Sequence, residues 1–326
     1  MKISNCNSMA LVLALILSYF MGISEAQLSV GFYSQTCPNA EAIVSSVVRE
    51  AFVDDSTMPA VLLRLHYHDC FGCDGSILID NVPDAEKDAD SHQGLRGFDV
   101  IERAKAQLEA VCREVVSCAD IVALAARDAI SLANGPFYQV PTGRRDGQIS
   151  NSSFAADMPQ VTDSIQQLKA NFRQKGLSDK DLVILSAAHT IGTTACFFME
   201  HRLYKFRDGE GSDPAINPQF LPELQANCPQ NGNINRRFPT DHGSGQTFDD
   251  HILRNIRNGF AVLESDARLY DDESTKSIID SYFGFLSSKI GLLFERDFAD
   301  AMVKMGQIGV KTGSQGEIRR VCEAFN

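Results

Sequence analysis

The sequence predicts an all-α fold built as a single domain of two helical lobes. Apolar residues recur at helical spacing along most of the chain, and the alternation typical of strands is nearly absent. Gly, Pro and Asn interrupt this pattern, for example at Asn134-Gly135-Pro136. The apolar (44%) and charged (22%) fractions are ordinary for a folded soluble protein and exclude a disordered chain, a collagen-like repeat and a coiled coil.

The helices can be ordered from their apolar spacing and boundary residues. Apolar positions 40, 43, 44, 47, 48 and 51 fall on one face of the first helix. Pro59 suits the first turn of the second helix. Ser178-Asp179-Lys180-Asp181 is a capping signal before the apolar run 182–188. The predicted helices are Ala40–Val53, Ala60–Cys70, Phe98–Val111, Ala119–Ala133, Ile165–Lys175, Leu182–Ala188, Cys196–Tyr204, Asp250–Gly259, Ser274–Leu286 and Leu292–Gly306.

A tract rich in Gly, Pro and Asn extends from Asp208 to Thr247 and is predicted to be non-helical. Two interpretations are open. The tract is either a linker between two helical halves or a long loop that Cys228 ties back to the rest of the domain.

The chain begins with a predicted secretory signal over residues 1–26. Lys2 precedes the uncharged run Met9–Phe20, and Ser24-Glu25-Ala26 has small residues where a signal peptidase cleaves. The alternative is an uncleaved anchor, although no basic cluster follows the run.

Among the 326 residues, Lys and Arg number 30 against 42 Asp and Glu, a net charge of −12. This balance argues against nucleic acid or an anionic membrane as a partner.

The sequence has nine cysteines, and cleavage after Ala26 removes Cys6. An even number then remains in a secreted chain, which predicts disulfides, although spacing alone cannot choose among the pairings. The sequon at Asn151 predicts a glycosylated surface loop. The remaining cysteines are Cys37, Cys70, Cys73, Cys112, Cys118, Cys196, Cys228 and Cys322.

The densest polar cluster on an apolar helix is Arg64-Leu65-His66-Tyr67-His68-Asp69-Cys70. Arg64 and His68 are four residues apart and share a face, which Val61 and Leu65 predict to point inward. The pair is therefore either a catalytic acid–base unit or a satisfied structural pair. His66 points elsewhere and is predicted to be structural.

A second candidate is His189, which follows the apolar run 182–188. The small residues Ser186, Ala187 and Ala188 leave space beside it for a flat, bulky bound group. A lone histidine in this position is either a core residue or an axial haem ligand.

These clusters belong to a series of segments that resembles the class III secretory plant peroxidases. The similarity extends from Gln27 to Cys322, and the segments occur in the family's order and at family-like spacing. They are Phe32-Tyr33-x3-Cys37-Pro38, Arg64 to Cys70, Cys73-Asp74-Gly75-Ser76, Arg96-Gly97-Phe98, Val116-Ser117-Cys118-Ala119-Asp120, Pro141-x-Gly143-Arg144-Arg145-Asp146, Ser186-x2-His189-Thr190-x-Gly192 and Phe248-Asp249.

The resemblance implies that the two lobes enclose haem b. His189 would bind the iron, and Asp266 would accept the other imidazole N–H. His68 would move the proton of hydrogen peroxide and Arg64 would stabilise the charge on the breaking O–O bond. An oxyferryl intermediate would then oxidise phenolic donors in one-electron steps, in cell-wall, lignin, suberin, defence or oxidative-stress roles.

The resemblance also implies two calcium ions and four disulfides in a secreted, apoplastic monomer. Pro159 matches the family's substrate-contacting proline, and Phe198 is either a rim aromatic or a core residue. The implied pairs are Cys37–Cys112, Cys70–Cys73, Cys118–Cys322 and Cys196–Cys228. The implied calcium ligands are Thr190, Asp241, Ser244, Thr247 and Asp249 on the proximal side, and Asp69, Gly72, Asp74, Ser76 and Glu86 on the distal side.

The sequence departs from the family pattern at three points. Cys70 and Cys73 are separated by two residues instead of the family's four, and one expected calcium-ligating carbonyl is among the missing residues. The expectation of a distal calcium ion and of a Cys70–Cys73 disulfide is weaker for this reason. His92 replaces an asparagine that bonds the distal histidine, and Tyr138 replaces a common tryptophan.

Two alternative functions are open. If the shortened loop impairs the distal side, the chain is a secreted haem- and calcium-binding protein of low turnover. A third hypothesis takes His66, His68, Cys70 and Cys73 as a zinc site or a thiol redox motif.

Overall fold

The computed structural model describes residues 27–70, 72–209, 211–283 and 290–326. The predicted signal, residues 1–26 with Cys6, lies outside the described residues. Within them the protein is α-helical, and its only sheet pairs two three-residue strands. The α-helices are α1 Ala40–Asp54, α2 Met58–Asp69, α3 Phe98–Val111, α4 Cys118–Leu132, α5 Ile165–Gln174, α6 Asp179–Ser186, α7 Glu200–Tyr204, α8 Leu221–Asn227, α9 His251–Asn258, α10 Glu264–Arg268, α11 Glu273–Ser281 and α12 Ile290–Met305.

The centre of the fold is α4, which is buried over almost its whole length. Its alanines and small side chains allow close approach, and α4 packs against α1, α2 and α3. Ser117 caps α4, because its hydroxyl accepts a hydrogen bond from the Asp120 N–H at 3.1 Å. This packing fixes α2, the helix of Arg64 and His68, on the core.

The second half of the fold is organised around α6, which packs against α5, α11 and α12. The capping signal predicted at Ser178 is confirmed: Ser178 Oγ accepts from the Asp181 N–H at 3.2 Å, and Asp181 accepts from the Ser178 N–H at 2.6 Å. Because this box closes the first turn, α6 begins at Asp179, three residues before the predicted apolar run. The chain then tightens into a 3₁₀ turn, Ala187–Thr190, that carries His189.

The prediction that the tract from Asp208 to Thr247 is non-helical was wrong, because the tract contains α8 and a strand. Strand β1, Thr193–Ala195, pairs antiparallel with β2, Arg237–Pro239. The Cys196–Cys228 disulfide closes the same region, and a small buried cluster that includes Phe220 and Phe238 fills it. The tract is therefore a folded segment tied back by Cys228, and not a linker between two helical halves.

One further helix prediction was wrong in detail, and one short helix was not predicted. Residues 196–204 form a 3₁₀ turn followed by the short α7 instead of one helix. α10 was missed, because five residues are too few to show helical periodicity.

The described cysteines form the pairs that the resemblance implies. The structure joins Cys37 to Cys112, Cys70 to Cys73, Cys118 to Cys322 and Cys196 to Cys228. Among the described residues, no helix is long and apolar enough to cross a membrane.

Candidate active site

A cavity of about 300 Å³ lies between α2 on one side and the α6–3₁₀ segment on the other. Arg64 and His68 face it from α2, and His189 faces it from the 3₁₀ turn. Pro159 and Phe198 line it as well. The structure thus brings together five residues that the sequence singled out from four separate segments.

The cavity face of α2 follows helical spacing, with Ala60, Leu63, Arg64, Tyr67 and His68 lining it. The prediction that Val61 and Leu65 share this face was wrong. Both pack around the position of Gly97, and Leu65 is fully buried. The opposite face of the helix therefore anchors it while the polar pair is presented to the cavity.

Arg64 is held by its Nη2, which donates to the Gln93 carbonyl at 3.1 Å. Burial lowers the pKa of Arg64 to about 10, and the charge of Arg237 acts in the same direction. The guanidinium is still cationic at neutral pH. Arg237, which sequence reasoning missed, reaches this cavity from β2, and only the long-range strand pairing places it there.

His68 adjoins His92 inside the protein, with ring centroids 5.0 Å apart and planes at 76°. His92 Nδ1 donates to the Glu86 carbonyl at 2.9 Å when it carries the proton. His68 Nδ1 and His92 Nε2 are both buried and have no hydrogen-bond partner among the described residues. Two unpartnered ring nitrogens on adjacent rings are complementary, since one can donate and the other accept.

Burial lowers the pKa of His68 well below its ordinary value, and Arg64 and His92 act in the same direction. Burial also lowers the pKa of His92. Both imidazoles are consequently neutral at neutral pH, the form in which one ring nitrogen accepts a proton.

His189 is backed by Asp266 of α10, whose two carboxylate oxygens lie 3.0 and 3.1 Å from Nδ1. Burial lowers the pKa of His189, but the charge of Asp266 and its hydrogen bond outweigh this, so the net shift is upward. With Nδ1 fixed, Nε2 is the nitrogen available to a ligand in the cavity.

Next to His189, oxygen atoms converge on Thr190. Its Oγ1 lies 3.0 Å from Asp241 Oδ2, 3.2 Å from Asp249 Oδ1 and 3.5 Å from the Thr247 carbonyl. Ser244 Oγ is 2.5 Å from Asp249 Oδ2. All five predicted proximal ligands therefore meet, and this set of hard oxygen donors fits Ca²⁺.

The distal residues Asp69, Asp74, Ser76 and Glu86 are all buried below the C-terminus of α2. Burial raises the pKa of Asp69 well above its ordinary value, with Asp74 and Glu86 adding to the effect. The Asp69 carbonyl, however, accepts from the Gly72 and Cys73 N–H groups. Asp74 Oδ2 contacts the Lys311 ammonium, so one distal carboxylate already has a cationic partner.

The structure counts against the zinc hypothesis for the His66–Cys73 segment, and the described residues lack the βαβ context that a thiol redox motif would need. Cys70 and Cys73 are bonded to each other, so neither thiolate is available as a metal ligand. His66 lies 3.4 Å from Cys70 Sγ through Nδ1, and burial lowers its pKa to about 3. His66 is a neutral core histidine.

The remaining sequence-predicted positions lie away from the cavity. Asn151 is partly exposed and its Nδ2 donates to Asp84 at 3.1 Å. Tyr138 is buried, and its hydroxyl has no partner among the described residues.

Comparison with known proteins identifies the class to which this fold and cavity belong. The sequence model of the peroxidase family, described as "Peroxidase", matches residues 44–284. The chain is 63% identical to Peroxidase 43 of Arabidopsis thaliana over 320 residues, covering 98% of both chains. It is 56% identical to Peroxidase 13 of Arabidopsis thaliana (97% and 99% covered) and 50% identical to Peroxidase N1 of Nicotiana tabacum (97% and 95% covered).

The chain belongs to the class III plant peroxidases. It is a peroxidase enzyme with an all-α haem peroxidase fold, and the family implies haem, hydrogen peroxide and donor substrates. The alternative of a low-turnover haem-binding protein receives no support from these relatives.

Proposed function

We propose that this protein is a secreted peroxidase that holds haem b through His189, reduces hydrogen peroxide with His68 and Arg64, and oxidises small phenols. The supporting observation is one cavity with a neutral histidine and a guanidinium on one side and a carboxylate-backed histidine on the other. Each turnover would convert one hydrogen peroxide and two phenols to two water molecules and two phenoxyl radicals.

The residues around His189 fit a haem. Nε2 is left free by the bond from Nδ1 to Asp266, and small residues such as Ala188 and Gly192 line the adjoining wall. Bound there, the haem iron would supply the redox chemistry. Asp266 would keep the imidazole electron-rich, which favours the oxidised states of the iron.

His68 and Arg64 would have different roles in the reaction with hydrogen peroxide. The neutral His68 would take a proton from one peroxide oxygen and deliver it to the other, so that the departing oxygen leaves as water. Arg64 would stabilise the negative charge that develops as the O–O bond breaks, and its bond to the Gln93 carbonyl fixes the guanidinium in advance.

Phenolic donors would approach at the mouth beside Pro159 and Phe198, which both line the cavity. The leader at residues 1–26, the disulfides and the sequon at Asn151 support secretion to the apoplast as a glycosylated monomer, with residues 27–326 forming the haem peroxidase domain. The acidic charge of −12 disfavours retention on anionic polysaccharide.

The proposal is tested by purifying the secreted protein and recording its absorbance. A haem band should be present, should change within one turnover on adding stoichiometric hydrogen peroxide, and should return when guaiacol is added. A haem spectrum that hydrogen peroxide leaves unchanged would contradict the proposal.

We predict that His92 orients His68 through a hydrogen bond between their unpartnered nitrogens. His92→Asn, which keeps an acceptor, should leave the rate of reaction with peroxide within about threefold of wild type. His92→Leu should lower it about tenfold, because no acceptor would then adjoin the buried His68 Nδ1, which has no other partner among the described residues. Stopped-flow kinetics measure both variants, and equal rates for Leu and Asn would refute the prediction.

We also predict that a calcium ion binds the Thr190 cluster and stabilises the 3₁₀ turn that carries His189. Asp249→Asn should lose one calcium per chain and lower Tm by about 5 °C or more, since ligand binding adds to stability. Calcium analysis and thermal melting of the haem-loaded protein measure these effects. Asp250→Asn, which changes the next carboxylate along the chain, is the control and should keep the ion. Full calcium in Asp249→Asn would contradict the prediction.

A further inference from the structure

The distal pocket below α2 differs from the proximal cluster in how its oxygens are used. The Asp69 carbonyl accepts from the Gly72 N–H at 3.0 Å and from the Cys73 N–H at 2.6 Å. These two bonds close the tight turn between the bonded cysteines. A carbonyl that is already shared by two amides is a poor cation ligand.

Other candidate oxygens are also engaged. Ser76 Oγ donates to Glu86 at 2.5 Å, and Asp69 Oδ1 accepts from the Gly75 N–H at 2.8 Å. Ca²⁺ needs six to eight oxygens at about 2.3–2.6 Å. The Asp69 carbonyl and the Ser76 hydroxyl are therefore less available to such an ion than free oxygens would be.

A lysine side chain reaches this pocket from the C-terminal part of the chain. Lys311 Nζ contacts Asp74 Oδ2, and Asp74 is buried. The backbone of Lys311 is fixed, because its carbonyl accepts from the Arg145 N–H at 2.8 Å. The ammonium therefore starts from a fixed backbone position, although the side chain itself is 36% exposed.

A second cation lies beside the pocket. The Arg319 guanidinium is fully buried and donates to the Gly75 carbonyl at 2.6 Å. It also faces Asp146 at 3.6 Å. Buried carboxylates need compensating positive charge, and these two side chains provide part of it.

The proximal oxygen cluster around Thr190 can be compared with the distal pocket by the cationic partners of its carboxylates. Asp249 has no Lys or Arg partner among the described residues. Its oxygens instead meet those of Thr190 and Ser244. One cluster therefore presents converging oxygens without a lysine or arginine, and the other presents a carboxylate that already contacts an ammonium.

We propose that the Lys311 ammonium takes the place of the distal calcium ion in this chain. The distal residues hold no divalent cation, and the Lys311–Asp74 contact ties the loop after His68 to the C-terminal segment. A chelator would then act on the proximal side alone and leave the distal loop unchanged.

The first test is calcium analysis of the haem-loaded full chain after equilibration with calcium and removal of the excess. Wild type and Asp74→Asn should contain the same amount of calcium per chain. A wild-type content higher by one ion than that of Asp74→Asn would overturn the proposal. The comparison does not depend on the proximal ion, whose assignment fails separately if Asp249→Asn keeps full calcium.

The second test uses Lys311 variants and does not require Asp74→Asn to fold. Lys311→Met should lower Tm by about 3 °C or more, because it leaves the buried Asp74 carboxylate without its ammonium. Lys311→Arg keeps the charge and should lose less than half as much. Lys304→Met, which removes the exposed contact with Asp181, is the matched control and should change Tm by less than about 1 °C. A Lys311→Met protein as stable as this control would overturn the proposal.

Discussion

His68→Leu is expected to lower the second-order rate constant for the reaction with hydrogen peroxide by about a hundred- to ten-thousand-fold. His68 faces the cavity opposite His189, and general acid–base catalysis by a positioned histidine contributes an effect of this size. The haem content should be unchanged, because His68 is not proposed to bind the iron. Stopped-flow absorbance of the purified variant measures the rate.

The matched control is His66→Leu, a second buried histidine on α2 that contacts Cys70 and does not line the cavity. This variant should retain the peroxide reaction to within a few-fold, whatever it costs in stability. If both variants lose the reaction equally, the loss comes from disruption of α2, and the proposed role of His68 is refuted.

The pH dependence follows from the direction of the His68 pKa shift. His68 can accept the peroxide proton only when its imidazole is neutral. Burial, Arg64 and His92 all lower its pKa, so the imidazole remains neutral as the pH falls through the usual histidine range of about 6.5. The peroxide reaction of wild type should therefore persist at pH 5–6, and a decline centred at pH 6.5 would contradict this assignment.

Local signals in the sequence account for the elements on which the site is built. The capping box at Ser178 and the proline at position 59 depend on residues within one turn of each other, and both mark helices in the structure. The spacing of Arg64 and His68 also depends on one turn, and it correctly predicts a shared face. Where the determinant is this short, the sequence is sufficient.

The features that the sequence could not provide depend on contacts between distant residues. Arg237 reaches the cavity only because β2 pairs with β1 across more than forty intervening residues. Lys311 meets Asp74 at a separation of 237 positions, so no window of the sequence contains both. The proximal oxygens are an intermediate case: the family pattern implies these residues as ligands, but only folding brings Asp241, Thr247 and Asp249 within 3.5 Å of Thr190.

Asp266→Asn is the second change expected to have a large effect, on the opposite side of the cavity. An amide in place of the buried carboxylate removes the charge that raises the pKa of His189 and weakens the bond at Nδ1. Partners of metal-bound histidines of this kind typically contribute 10- to 100-fold. We therefore expect turnover to fall by about that factor and the midpoint potential of the bound haem to rise, because a neutral imidazole stabilises oxidised iron less well. Redox titration of the purified variant measures the potential separately from activity.

Asp271→Asn is the matched control, since Asp271 follows the same short helix α10 and pairs with Arg268 at its exposed end. The control should keep both the potential and the turnover of wild type. The two substitutions remove the same charge a few residues apart, so a difference between them isolates the contact with His189 from the net charge of the chain. An Asp266→Asn protein with an unchanged potential would show that this carboxylate only holds the fold, and the assignment of His189 as the iron ligand would lose its main physical support.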